Sequence, residues 1–387
     1  MFSKRTNWNL ATNRYTEAIE AHRPAGRELL DLTASNPTTI GLHYETDQIL
    51  AALAGPRALT YEPIAKGLLV AREAVAAYYQ ELGVRLDPEY LVLTTSTSEA
   101  YTFSFRLLCE PGDEVLVPTP SYPLFDFLAE LQDVRLVPYE LIYDHGWQVD
   151  FHGLAQKLTP HSRAVIVVHP NNPTGSFVKP HEMMQLADLC GRRELAIIAD
   201  EVFLNYSLFE AGKSFAANDH CLTLTMSGLS KISGLPQMKV AWIAVSGPEN
   251  LQQEALARLE VIADTYLSMN APIQHALPAL LEQRRSIQAQ LSTRVRANLE
   301  ELDRQLAAQH LVSRLQMEGG WYAILRVPVS RSDEDLAIEL ITRHDVLIQP
   351  GHFYDFPNDG YLVISLITPE AILREGLSRL LRCIAAL

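Results

Sequence analysis

No stretch of this 387-residue chain approaches the roughly 20 consecutive apolar residues that a helix needs to cross a bilayer, so no membrane span is expected. The four cysteines, Cys109, Cys190, Cys221 and Cys383, lie far apart with no C-x-x-C pair. That spacing argues against a disulfide frame and a zinc site, and no metal is expected; reduced, buried thiols in a cytoplasmic protein are. Basic tracts are missing too. With 32 Lys+Arg against 46 Asp+Glu, the net charge of −14 would repel nucleic acid and anionic membrane surfaces. The opening residues, MFSKRTNWNLATNRYTEAIE, contain no long apolar core, so no secretory signal is expected. Internal repeats and low-complexity linkers are absent.

What remains is an ordinary globular composition, 48% hydrophobic and 20% charged, in a chain too long for one ordinary core. From Leu91 onward, short apolar runs alternate with helical patterns: LVLT (91–94), EVLVP (114–118), VRLVPY (134–139), AVIVVH (164–169), LAIIAD (195–200), LTLTMS (222–227) and VAWIAVS (240–246). The central runs are nearly all apolar rather than alternating, as in strands covered on both faces. This predicts an α/β fold built on a mostly parallel, seven-stranded sheet under helices. After about residue 249 the rhythm changes. Ile287, Leu291, Val295, Leu299, Leu302 and Leu306 form one stripe of a long amphipathic helix. Strand-like WYAILRV (321–327) and YLVISL (361–366) follow, with helices near 333–344 and from Ala371, which reads as a smaller C-terminal α+β domain. The expected division is 46–283 for the large domain and 284–387 for the small one. Residues 1–45 either join the small domain or form an arm.

Ligands of parallel sheets bind beyond the carboxyl ends of the strands, where loops and helix N-termini face one crevice. Five strand ends here carry polar groups: TTSTSEA (94–100), TPSYP (119–123), HPNNPTG (169–175), Asp200 and SGLSK (227–231). Singly, each has a structural explanation: a helix cap, a turn, a strand-end carboxylate, a surface lysine. Together they offer a phosphate cradle at a helix start, an aromatic cover, an amide, a carboxylate for a pyridinium nitrogen and an amine that can form an imine. Pyridoxal 5′-phosphate uses that full set.

The motifs GLSKISGLPQMKVAW (228–242), HPNNPTG, ADEVF, EPGDEVLVPTPSYP and YEPIAKG (61–67) stand in the order and spacing of a known family. Across nearly its whole length the chain resembles the class I/II aminotransferases, enzymes of the pyridoxal-phosphate fold type I. The resemblance implies that Lys231 is the Schiff-base lysine and proton shuttle and that Asp200 pairs with the ring nitrogen. It implies that Asn172 donates to the ring's phenolic oxygen, Tyr122 stacks on the ring, and Thr97, Ser98 and Lys239 hold the phosphate. Tyr61 matches a tyrosine that reaches the phosphate of a neighbouring subunit, which implies a homodimer with shared active sites. The implied activity is transfer of an amino group from a small amino donor to an oxo acceptor. A lyase, racemase or decarboxylase on the same fold, or a non-catalytic pyridoxal-phosphate-binding regulator, would share most of these residues.

Four positions depart from the family pattern. Gly228 stands where a phosphate-binding serine is usual, and Ser227, ahead of Ser230, is the substitute expected. Lys239 replaces an arginine, a point charge in place of a bidentate fork. Phe203 replaces a tyrosine, removing one hydrogen bond to the phenolic oxygen. Val363, in Val363-Ile364-Ser365, occupies the place of the arginine that clamps a substrate's α-carboxylate. Arg326 is one candidate to replace that arginine, and Trp321 and Tyr322 are candidates for the pocket wall.

Overall fold

Runs that are apolar on every residue can be buried only in a sheet covered on both faces. A computed structural model of the chain describes residues 1–22, 26–123, 125–209, 212–267 and 269–386. Among them the strands, in chain order, are β1 (Leu30–Asp31), β2 (Leu91–Thr94), β3 (Glu114–Thr119), β4 (Arg135–Tyr143), β5 (Trp147–Val149), β6 (Ser162–Val168) and β7 (Ala196–Asp200). They continue with β8 (Thr223–Gly228), β9 (Ala241–Ser246), β10 (Ser313–Arg314), β11 (Tyr322–Arg326), β12 (Val346–Leu347), β13 (Gln349–Pro350) and β14 (Tyr361–Ser365). Strands β2 to β9 make one eight-stranded sheet in the order β2-β9-β8-β7-β6-β3-β4-β5. The block β8-β7-β6-β3-β4 is parallel, whereas β9 runs against both its neighbours and β5 against β4. All seven expected runs lie in this sheet. The eighth strand, β5, is the return arm of a hairpin, and three residues are too few for any periodicity to reveal.

Pleating sends Val165, Val167, Ile197 and Ala199 to one side of the sheet and Ile166 and Ile198 to the other. Helix Pro180–Arg193 covers the first side through Leu186 and Cys190. Helices Thr97–Leu108 and Glu249–Tyr266 cover the second through Phe103, Phe105 and Leu259. The start of the 180–193 helix is set locally: Pro180 needs no hydrogen-bond partner at the first turn, and the Glu182 carboxylate accepts the Lys179 N–H at 2.7 Å.

A second, antiparallel sheet has the order β10-β11-β14-β13, and β1 pairs in parallel with β12. Helix Arg284–Leu306 lays Ile287, Leu291, Val295 and Leu302 into the core behind β11 and β14. The N-terminal segment enters the same core. Tyr15 and Leu32 are buried there, the Tyr15 hydroxyl donates to the Ile348 carbonyl at 2.8 Å, and the Ser365 N–H donates to the Leu32 carbonyl at 2.7 Å. All four cysteines are free, with Cys190, Cys221 and Cys383 buried. No helix among the described residues is long and apolar enough to cross a membrane.

Candidate active site

Neighbouring parallel strands bring the lysine and the carboxylate together. Asp200 ends β7, in register with Met226 of β8, and Lys231 follows β8 in the short helix Leu229–Ile232. Burial raises the Asp200 pKa to about 6, against the N–H of Val202 (3.1 Å), the hydroxyl of Tyr101 (3.2 Å) and the positive charge of Lys231, all of which favour the carboxylate. Burial lowers the Lys231 pKa to about 8, and the Asp200 charge opposes that fall. The Lys231 Nζ lies 5.0 Å from the Trp321 ring centre and 5.7 Å from that of Phe203, and the Tyr206 hydroxyl donates to the Lys231 carbonyl at 2.6 Å. A lysine with an apolar aromatic wall and a single carboxylate for company keeps a large neutral fraction near pH 8, which is what a nucleophile or proton carrier needs.

Trp321 reaches Lys231 because the two sheets are stitched together beside it. The N–H groups of Glu318 and Gly319 donate to the Gly175 carbonyl at 3.0 and 2.9 Å, and that of Gly320 donates to the Tyr206 carbonyl at 2.8 Å. The Glu318 carboxylate accepts the Phe177 N–H at 2.9 Å and pairs with Lys179. Gly175 is required here: it has φ +66°, and a Cβ on it would stand 2.5 Å from the Gly319 carbonyl. Trp321 therefore stands beside Lys231, and both Trp321 and Tyr322 pack edge-on against Phe203, at 4.8 and 6.3 Å.

The other expected residues fall around this pair or away from it. Asn172 is buried just beyond β6, and its Oδ1 has no hydrogen-bond partner. Tyr122 follows β3, 44% exposed, and its phenol pKa is raised by burial and by the Asp200 charge. Thr97 and Ser98 open the helix that follows β2, but the cap is Ser96, whose Oγ accepts the Glu99 N–H at 3.1 Å. The Ser227 hydroxyl donates to the Glu201 carbonyl at 3.3 Å, so its one proton is committed, whereas no bond to the Ser230 hydroxyl is seen among the described residues. A serine could not simply replace Gly228, since a Cβ there would approach the Val240 carbonyl to 2.7 Å. Lys239 is exposed, in the left-handed conformation after the turn Pro236–Met238. Tyr61 stands apart, 77% exposed, in an apolar hollow with Leu59, Ile64 and Leu267. Arg326 is exposed at the far end of β11, four residues and about 13 Å along the strand from Tyr322. No hydrogen bond or ion pair ties it to the group around Lys231 among the described residues.

Three contributors were not foreseen. Tyr101, one turn beyond Thr97 on the buried face of its helix, is hydrogen-bonded to Asp200; only the helical spacing hinted at it. Glu201, a charge at the end of an apolar strand, is buried and takes the Ser214 hydroxyl (2.7 Å) and the Phe215 N–H (2.6 Å), although burial raises its pKa to about 8. Tyr354, ending the short 3-10 helix Gly351–Tyr354 before β14, is buried and its hydroxyl donates to Gln349 Oε1, with no motif around it.

A lysine and a carboxylate so placed, on a sheet of this topology, define an enzyme that works on amines with pyridoxal phosphate. Residues 9–380 match the family model for aminotransferase class I and II, and the chain belongs to that family. It is accordingly a transferase that uses pyridoxal 5′-phosphate to pass an amino group from an amino donor to an oxo acceptor. An alanine aminotransferase of Mycobacterium tuberculosis (strain H37Rv) is 29% identical over 371 residues, covering 92% of this chain and 85% of that protein. A glutamate-pyruvate aminotransferase of Escherichia coli (strain K12) is 26% identical over 355 residues, covering 88% and 87%. In fold the chain is similar to an alanine aminotransferase structure from Pyrococcus furiosus, with TM-score 0.91 at 22% identity and 100% of both chains covered.

Proposed function

We propose that Lys231 holds the cofactor covalently through Nζ and carries the proton that leaves the substrate, with Asp200 beside the ring nitrogen. The residues fit that group. Asp200 is a buried carboxylate whose one positive partner is Lys231, and the buried Asn172 side chain makes no hydrogen bond among the described residues, which leaves its N–H2 free to donate to a ligand oxygen. Tyr122 covers the ring. Thr97, Ser98, Lys239 and a serine hold the phosphate at the start of the 97–108 helix. Ser227 remains a candidate for that serine, but Ser230 has the hydroxyl free to donate. Bound there, the cofactor supplies an electron sink for the pair left when a proton departs from the carbon bearing the amine.

The observation that carries this reading is the mutual influence of Asp200 and Lys231, each the counter-charge of the other at one sheet edge. The test is to load the purified protein with pyridoxal 5′-phosphate and incubate it with amino donors alone, using Lys231→Ala as the blank. Pyridoxamine phosphate should accumulate, and the variant should lose about four orders of magnitude in rate. Absence of that product with every donor would sink the reading and favour another reaction on the same fold.

The exposed surface around Leu59 and Tyr61 supports a homodimer in which Tyr61 serves the partner's phosphate site. The shared core of the N-terminal and C-terminal segments supports residues 1–45 and 284–387 as one small domain on a 46–283 large domain. Four free thiols support a cytoplasmic location.

A further inference from the structure

Strands β11, β13 and β14 turn one continuous face toward the site. Directly opposed residues of antiparallel strands point to the same side. The register opposes Tyr322 to Ser365, Ile324 to Val363, and Gln349 to Val363. Tyr322 carries this face toward Phe203, so the fully buried Val363 lies on the site side, one pair further along, between Ile324 and Gln349. The Tyr354 hydroxyl donates to Gln349 Oε1. Around Tyr322 and Val363 this wall is therefore built of phenols, the Ser365 hydroxyl, an amide and aliphatic groups, and the same face carries Arg326, opposed to Tyr361, only at its exposed far end.

Charge is distributed to match. Burial raises the phenol pKa values of Tyr122, Tyr322 and Tyr354, and the three are close enough to reinforce one another. Among the described residues, Lys231 is the one cation acting on Asp200 or on these phenols, and it is the residue that must leave for a substrate amine to enter. Asp355, next to Tyr354, and Asp126, four residues beyond Tyr122, both have exposed surface, and partial burial, with the Asp126 charge second, raises the pKa of Asp355. A carboxylate on the reacting carbon would shed its water beside these phenols without gaining a counter-charge. An amide or hydroxyl there could both accept from and donate to the phenols and the Gln349 amide.

We propose that the donor is an amine whose reacting carbon carries a neutral hydrogen-bonding group, an amide or an alcohol, in place of a carboxylate. This rests on the reading of Lys231 as the attachment point. The test compares 2-methylalaninamide with 2-methylalanine on the cofactor-loaded protein. Neither has a hydrogen to lose from the reacting carbon, so release of Lys231, followed by absorbance, reports binding alone. Constants are compared for the free amines, because an amide lowers the amine's own pKa. The amide should bind at least about tenfold tighter, and alaninamide and alaninol should exceed alanine in kcat/KM by a similar factor. Equal or tighter binding of the carboxylate overturns the proposal. If only carboxylate donors yield pyridoxamine phosphate, the attachment reading stands and this one falls; if no amine of either kind displaces Lys231, both fall. Val363→Arg should reverse the preference, and an unchanged preference in the folded variant counts against the proposal. Should that variant not fold, Tyr354→Phe serves: amide binding should weaken several-fold with carboxylate binding unchanged, and equal effects on both overturn the proposal.

Discussion

The Tyr101 hydroxyl donates to Asp200 Oδ2 at 3.2 Å while the Val202 N–H occupies Oδ1 at 3.1 Å, so both oxygens of the carboxylate are held, one by the helix Thr97–Leu108 and one by the turn after β7. Both bonds favour the ionised form against the burial that raises its pKa. Tyr101→Phe removes one of them, and the Asp200 pKa should rise further. The acid limb of kcat/KM should then move to higher pH by about one unit. A limb that stays in place would show that Tyr101 does not set the ionisation of Asp200.

Asp200 also makes the cofactor-free protein sensitive to pH. Its folded pKa of about 6 lies above its ordinary value of 3.8. The folded state therefore holds a proton that the unfolded chain has released across that interval. This contribution to stability is fully present below pH 3.8 and is lost as pH rises through about 6, on the order of 2–3 kcal/mol. In Asp200→Asn that loss between pH 4 and 6 should be absent, as chemical denaturation of the cofactor-free protein will show.

Phe203 offers no hydroxyl to the ring's phenolic oxygen. The protonated, lysine-linked cofactor should consequently persist to higher pH than in a protein with a tyrosine there. Phe203→Tyr should shift the pH midpoint of its absorbance downward by about one unit. A wild-type midpoint well below neutral would contradict this.

Leu59 is 94% exposed and Tyr61 77% exposed, so neither stabilises the isolated subunit. Sedimentation should give twice the 43.3 kDa chain mass. Leu59→Asp should weaken that association at least about tenfold with an unchanged fold. A wild-type protein that sediments as a monomer would end the case for shared sites.

Much of this enzyme was legible without coordinates because its information is local. Apolar runs specify strands buried on both faces, Pro180 and Glu182 specify a helix start, and polar residues that follow strands of a parallel sheet must gather at one edge. By that logic Lys231, Asp200, Asn172 and Tyr122 were expected at one sheet edge, and they follow or end β8, β7, β6 and β3. The vacancy left by Val363 was equally visible, since a side chain's chemistry is known wherever it lies.

Tertiary structure decided what depends on through-space distance. Tyr101 reaches Asp200 across 99 residues of chain. Trp321 stands over Lys231 only because Gly175 and Gly319 let two loops touch. The proton of Ser227 is committed to Glu201, and Arg326 lies at the exposed far end of its strand. None of these has a sequence period, because each arises where separate elements meet and not within any one of them.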